Sequence, residues 1–120
     1  MKNDEPDGRI AKVCVPCQAG MPPMSHAEIL SLLLPDAKGW MLSEDGLSLK
    51  RDLRLRDFAQ VMRVLNAVAE VAERENHHPS FFVDHYRDLS FTLRTHAAKG
   101  ITMNDFVLAR AIDEIVANTP

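Results

Sequence analysis

Three histidines in the second half of the chain have the residue type and spacing that acid–base chemistry requires. His77 and His78 are adjacent, and His96 follows later in the chain. Imidazole can both donate and accept a proton near neutral pH. Carboxylates flank the segment, with Asp105 after it and Glu73 before it. Glu73 lies one helical turn before His77, so we expect it to point the same way. The pattern predicts proton transfer.

Two other interpretations of these histidines remain open. A histidine pair in front of Pro79 is also typical of a helix end that is exposed to water and has no functional role. A metal site is the second alternative, because histidine is a common metal ligand. His77 and His78 are adjacent, however, and are therefore poorly spaced to chelate one ion together.

Length and composition indicate a single globular domain. The chain has 120 residues, of which 46% are hydrophobic and 26% are charged, and this is enough for one core. The net charge of −3 gives no broad basic surface, so nucleic acid is not an expected partner. No apolar run reaches the roughly 18 to 20 residues of a membrane helix, and residues 1–8 lack the apolar core of a signal peptide. We therefore predict a soluble, cytoplasmic protein.

The sequence divides into an N-terminal leader, residues 1–23, and a domain, residues 24–120. The leader is rich in Pro, Gly and charge and has little periodicity, so we expect it to be irregular or mobile. It contains Cys14 and Cys17 in Cys-x-x-Cys spacing, which supplies half of a zinc site at most. Reduced thiols, a metal completed by His26 or by a second subunit, and redox chemistry all remain open.

Capping signals and periodicity predict three helices. Ser25 with Glu28 resembles a capping box, and the short helix that it begins should stop at Pro35. A long amphipathic helix covers about residues 57–76 and ends at the histidine pair. The last helix begins after Thr102, which forms a second box with the acid three residues later. The recurring apolar residues of the long helix are Phe58, Val61, Met62, Leu65, Val68, Ala69 and Ala72.

Four strands fill the intervals between the helices. The first two are predicted near residues 39–42 and 47–55, and the third covers about 81–86. The fourth, residues 89–95, alternates cleanly between apolar and polar positions, and its polar face continues to His96. The resulting order is α-β-β-α-β-β-α. Hairpins that alternate with helices indicate an α+β fold, in which a four-stranded antiparallel sheet carries the helices on one face.

This combination of residues resembles the pterin-4a-carbinolamine dehydratase family. In that family, a Glu four residues before a His-His-Pro is followed by Thr-His, a turn Gly and an Asp. The resemblance runs from about Ser25 to Ile115. The matching residues are Glu73, His77, His78, Pro79, Thr95, His96, Gly100 and Asp105, together with Gly39-Trp40 and Asn104-Asp105-Phe106.

The resemblance implies a function and a set of roles. His77 and His96 would be the proton donor and acceptor, and Glu73 and Asp105 would orient the histidines. The substrate would be a 4a-hydroxytetrahydropterin, dehydrated to the quinonoid dihydropterin without a metal or organic cofactor. Members assemble as dimers or tetramers whose sheets join at their edges. The residues expected to bind the pterin are His78, Pro79, Phe81 and Thr95.

Three features depart from the family pattern. Phe81, rather than Trp, stands two residues after Pro79. The interval from His78 to His96 is one residue longer than usual, and a bulge or a longer turn near residues 84–87 would have to absorb it, because a slip of one residue reverses the face of a strand. The third feature is the leader with its cysteines. Together they are similar to the dehydratase-like Rubisco assembly factors of alpha-carboxysome bacteria, which implies an alternative: a non-catalytic, carboxysome-associated chaperone for Rubisco subunits.

Overall fold

In a computed structural model that describes residues 10–11, 14–15, 22–37 and 39–120, three α-helices and four strands follow the predicted order. The strands form one antiparallel sheet in the order β1-β2-β4-β3, which confirms the α+β class. The elements are α1 His26–Asp36, β1 Met41–Leu42, β2 Leu49–Arg54, α2 Phe58–Glu75, β3 Ser80–Asp84, β4 Asp88–Leu93 and α3 Met103–Asn118, with a short 3-10 turn at His96–Ala98.

The helices cover one face of the sheet, as predicted, and the other face is open to water. Along β4, Leu89, Phe91 and Leu93 are fully buried, whereas the intervening residues are partly exposed. Phe106 and Ile112 of α3 are also fully buried. Removing this apolar surface from water contributes about 25 cal/mol per Å² and is the main force that holds the helices on the sheet.

Helix α2 is capped at both ends of the predicted range. The Asp57 side chain caps its first turn, and Asn76 ends it in a left-handed conformation with φ of 53°, which Asn tolerates better than most residues. The backbone N–H of His77 then donates to the carbonyl of Ala72 at 3.2 Å. This tight end turns the chain sharply, so that His77 and His78 leave the helix in different directions.

Helix α1 ends one residue later than predicted. It includes Pro35 and ends at Asp36, and the backbone N–H of Ala37 still donates to the carbonyl of Leu33 at 3.2 Å. A proline in the last turn removes one backbone donor but does not remove the bonds of its neighbours. No helix within the described ranges is long and apolar enough to cross a membrane.

The apolar stripe of α2 is wider than its buried face. The residues buried against the domain are Val61, Val64, Val68 and Ala72. Phe58, Met62 and Ala69, which share the predicted periodicity, are exposed. The strands are also shorter than predicted: β1 has two residues, and β3 ends at Asp84 because a turn begins there.

Arg51, the charged residue on the inner face of β2, lies beside Asp113 of α3. Its Nε lies 3.6 Å from Asp113 Oδ1, which also accepts from Trp40 Nε1 at 3.0 Å. Burial is the main cause that raises the pKa of Asp113. A Cβ at position 39 would overlap the Arg51 guanidinium, so a larger residue there would force that side chain to move. The Gly39-Trp40 pair is therefore part of a structural ion-pair cluster.

Candidate functional site

His77 lies in the interior and is held by Asp105. Its Nε2 is 2.7 Å from Asp105 Oδ1, and the two side chains are 6% and 0% exposed. The other oxygen of Asp105 accepts from Thr95 Oγ1 at 2.8 Å and from the backbone N–H of Thr102 at 3.0 Å. An ionised carboxylate can only accept hydrogen bonds, so His77 carries a proton on Nε2.

Asp105 caps the start of α3 and binds His77 at the same time. It is the third residue of α3 and completes the predicted capping box with Thr102. The hydroxyl oxygens of Thr95 and Thr102 are 2.7 Å apart. Because Thr95 gives its proton to Asp105, Thr102 is the donor in that pair. The cap therefore fixes the carboxylate between the end of β4 and His77.

His78 points towards solvent and pairs with Glu73. Its Nε2 lies 2.7 Å from Glu73 Oε2, and the side chains are 52% and 79% exposed. The expectation that Glu73 would point the same way as His77 is therefore wrong. The left-handed residue Asn76 turns His77 inwards, and this leaves His78 within reach of the carboxylate on the last turns of α2.

His78 and His96 share a cleft on the open face of the sheet. The cleft has a volume of about 290 Å³. His96 begins the 3-10 turn directly after β4 and is exposed, while His77 does not line the cleft. Of the three imidazoles expected to converge, the structure brings two together in one space. The cleft is lined by Ser48, His78, Ser80, Thr92, Arg94 and His96.

Strands β3 and β4 lie between His78 and His96 and are joined by a short turn. The two strands pair in regular register without a bulge, and the turn contains residues 85–87. His85 and Tyr86 adopt left-handed φ values of 49° and 55°. Because the register is preserved, Thr95 is buried and His96 is exposed, as the alternation of the strand predicts.

Pro79 and Phe81 lie on another side of the histidine pair. They border an apolar cavity of about 160 Å³ beside α2, and Glu73 and His78 border it too. Phe81 is separated from the histidine cleft because neighbouring residues of β3 face opposite ways, and Ser80 is the one that faces the cleft. The cavity's remaining lining residues are Leu65, Val68, Ala69 and Ala72.

Sequence reasoning missed four lining residues of the cleft. Thr92 and Arg94 share the polar face of the fourth strand with His96, so the alternation pattern carried a signal for them. Ser48 lies directly before β2 and Ser80 begins β3, and only the sheet order brings them there. The Arg94 side chain is exposed and lies on the wall of the cleft.

The structure describes one of the two cysteines of the leader. Cys17 lies outside the described residues, and Cys14 is half-buried against the carbonyl oxygen of Asn104. In the part of the chain that the structure describes, no cluster of three or more His, Cys, Asp or Glu side chains is arranged to hold a metal ion.

Comparison with known sequences extends the resemblance across most of the chain. Residues 22–115 match the family model described as pterin 4 alpha carbinolamine dehydratase. A Cupriavidus pinatubonensis protein, named provisionally as pterin-4-alpha-carbinolamine dehydratase 1, is 37% identical over 109 residues, which cover 89% of this chain and 90% of that protein. A Rubrobacter xylanophilus protein with a similarly provisional dehydratase name is 36% identical, over 87% of this chain and 94% of that protein.

Two solved structures share the fold. A transcriptional coactivator/pterin dehydratase from Brucella melitensis superposes with a TM-score of 0.74 and 26% identity, covering 78% of this chain and 98% of that one. A pterin dehydratase-like protein described as a RuBisCO assembly factor in the alpha-carboxysome superposes with a TM-score of 0.56 and 18% identity, covering 65% of this chain and 89% of that one. The second likeness concerns the fold alone.

Proposed function

Because the chain belongs to the pterin 4 alpha carbinolamine dehydratase family, we propose that it eliminates water from a 4a-hydroxytetrahydropterin in the cleft between His78 and His96. The observation that carries this proposal is the presence of these two imidazoles in one cleft of about 290 Å³. The Glu73 carboxylate, 2.7 Å from His78, fixes the orientation of that ring.

The elimination moves two protons and changes no oxidation state. The C4a–O bond breaks, and the hydroxyl group receives a proton and leaves as water. The N5–H bond gives up its proton, and its electron pair forms the C4a=N5 double bond of the quinonoid product. An imidazolium delivers the first proton, and a neutral imidazole accepts the second. Each transfer by a positioned group contributes about 10²- to 10⁴-fold, and the proposal includes no metal or organic cofactor.

The proposed roles follow the positions of the side chains. His78 and His96 transfer protons because both line the cleft. His77 and Asp105 act as positioning residues, since their buried bond sets the path of the chain into His78. Thr95 acts through Asp105, to which it donates. These roles differ from those that the family resemblance implies, which pair His77 with His96.

A turnover assay with synthetic 4a-hydroxytetrahydropterin tests the function and the roles together. We expect turnover above the spontaneous rate in the wild type, and a fall of about 10²-fold or more in His78→Ala and in His96→Ala. Added imidazole should restore part of the rate in both variants, because the cleft is open, but not in His77→Ala, because that site is buried. His26→Ala, an exposed histidine in α1, is the control. Wild-type turnover at the spontaneous rate would refute the proposal.

A second candidate function is protein binding, and the exposed edge of the sheet favours it. Strand β3 is an edge strand, and Phe81, Phe82 and Tyr86 beside it are more than half exposed. An unpaired edge with apolar side chains is suited to pairing with another chain. We propose that this edge joins two copies of the protein into a dimer. Light scattering on the wild type and on Phe82→Lys tests this, and a wild-type monomer would contradict it.

A substitution at the β3 edge also tests the assembly-factor alternative. If the protein assists Rubisco assembly, co-expression with cognate Rubisco subunits should raise the yield of soluble Rubisco, and Phe82→Lys should abolish the increase. His96→Ala should retain it, because His96 lies in the cleft and not at the β3 edge. An unchanged Rubisco yield with the wild-type protein would exclude this function.

A further inference from the structure

Residues Cys14 and Val15, which we call the leader contact, bind the ends of two helices. The backbone N–H of Cys14 donates to Glu75 Oε1 at 2.8 Å. The backbone N–H of Val15 donates to Asn104 Oδ1 at 2.9 Å, and Asn104 Nδ2 donates to the carbonyl of Val15 at 2.7 Å. The Asn104 amide thus pairs with one residue of the leader at two points, as a neighbouring strand would.

The leader contact spans the same junction as the buried pair of His77 and Asp105. Glu75 is the last residue of α2, two positions before His77. Asn104 lies in the first turn of α3, directly before Asp105. The Asn104 residue is 2% exposed and the Glu75 side chain is 9% exposed. Both anchors are therefore shielded from water, where a hydrogen bond is electrostatically stronger than at the surface.

Two further attachments flank the leader contact, one at Ile10 of the leader and one at Met24, the first residue of the domain. Ile10 is 2% exposed and belongs to the hydrophobic core. The backbone N–H of Met24 donates to the carbonyl of Ile101 at 2.7 Å, close to the start of α3. Cys14 and Val15 therefore lie between two described attachments, at Ile10 and at Met24.

We propose that Asn104 is a positioning residue that acts through Asp105 and His77. By clamping Val15, it holds the first turn of α3 at a fixed distance from the end of α2. This distance sets the contact between the Asp105 carboxylate and His77. His77 is followed directly by His78, so a displaced pair also displaces an imidazole of the cleft. The effect on turnover rests on the proposed function, whereas the effect on His77 does not.

Two full-length variants break the leader contact from opposite sides. Asn104→Asp keeps Oδ1 but places a second oxygen against the carbonyl of Val15. The added negative charge is favoured by the first turn of a helix but opposed by the burial of the site, so circular dichroism is used to check that the fold is retained. Val15→Pro removes the N–H that donates to Asn104, and the Val15 side chain is exposed. Asn66→Asp, the same change at an exposed position of α2, is the matched control.

The direct readout is the Nε2 proton of His77, followed by NMR. In the wild type this proton is buried against Asp105, so we expect it to exchange slowly with solvent. In Asn104→Asp and in Val15→Pro the exchange should be at least about tenfold faster. The turnover number should fall about tenfold with little change in KM, because a small misplacement of a catalytic group lowers the rate. Asn66→Asp should change neither.

The two readouts separate the positioning role from the function. Unchanged exchange of the His77 proton in both variants would overturn the proposal, whatever the rates are. If the wild-type protein shows no turnover, the proposed function fails, and faster exchange in both variants would still establish the positioning role. A loss of turnover without a change in the His77 proton would also contradict the role, because Asn104 would then act by another route.

Discussion

Replacing Asp105 by Asn should destabilise the protein strongly, although the two side chains have nearly the same shape. The carboxylate is fully buried and accepts hydrogen bonds from His77, Thr95 and Thr102. An amide offers one acceptor oxygen and turns an N–H₂ group towards the remaining donors. The least costly arrangement keeps the oxygen at the two threonine donors and turns the nitrogen towards His77, which must then move its proton from Nε2 to Nδ1.

The expected loss of unfolding free energy follows from the number and kind of hydrogen bonds that Asp105 accepts. A hydrogen bond to a charged group contributes about 1.5 to 3 kcal/mol, and one between neutral groups about 0.5 to 1.5 kcal/mol. Three bonds that change from charged to neutral therefore cost about 1 kcal/mol each, so the free energy of unfolding should fall by about 3 kcal/mol. The forced change of the His77 tautomer should also lower turnover, as an altered tautomer does in other histidine sites.

Urea denaturation of Asp105→Asn and the wild type measures this loss. The control is Asp52→Asn, because Asp52 is exposed and accepts one hydrogen bond, from Ser90 Oγ at 2.7 Å. The control should change the free energy of unfolding by less than about 0.5 kcal/mol. A loss below about 1 kcal/mol in Asp105→Asn, with His77 still protonated on Nε2, would refute the reasoning about this network.

Three further changes test other parts of the structure. Gly39→Ala should lower the free energy of unfolding by about 1 to 3 kcal/mol in denaturation experiments, because its Cβ displaces the Arg51 guanidinium; an unchanged midpoint would contradict the overlap. Burial raises the pKa of Asp113 above 3.8, so its stabilising effect is complete in acid and is lost as pH rises through the raised folded-state value. Compared with Asp113→Asn, the wild type should therefore lose relative stability over that window, and the opposite slope would be a contradiction. Lys99→Gly should raise the thermal midpoint, because glycine removes about 1 kcal/mol of left-handed strain at φ of 56°; a lower midpoint would argue against strain.

Much of the fold could be predicted because local signals agreed with one another. The long helix was located to its cap residues, because a stripe of apolar positions and the restriction before Pro79 coincide. The alternation of the fourth strand gave the correct faces for Thr95 and His96. The end of α1 and the ends of the short strands were less accurate, because each depends on one or two backbone bonds at the element's end.

The candidate site was harder to predict because it depends on the directions in which side chains point. The spacing of residues along the sequence does not determine these directions. The left-handed conformation of Asn76 makes His77 and His78 point in different directions, and no periodic pattern in the sequence predicts that conformation. The role of the leader was also hidden. Its composition suggested an irregular segment and gave no sign that Ile10 packs into the core or that Val15 pairs with the buried amide of Asn104. Both contacts connect residues far apart in the sequence, so only the tertiary structure identifies them.

The most direct test of the pterin cleft is an NMR titration of the protein with a dihydropterin analogue of the product. We predict that the imidazole resonances of His78 and His96 shift together with a single dissociation constant, because both rings line one cleft. Those of His26 and His85, which lie outside the cleft, should not move. Shifts confined to other histidines, or no shift at saturating concentrations of the analogue, would contradict the assignment of the cleft as the site of dehydration.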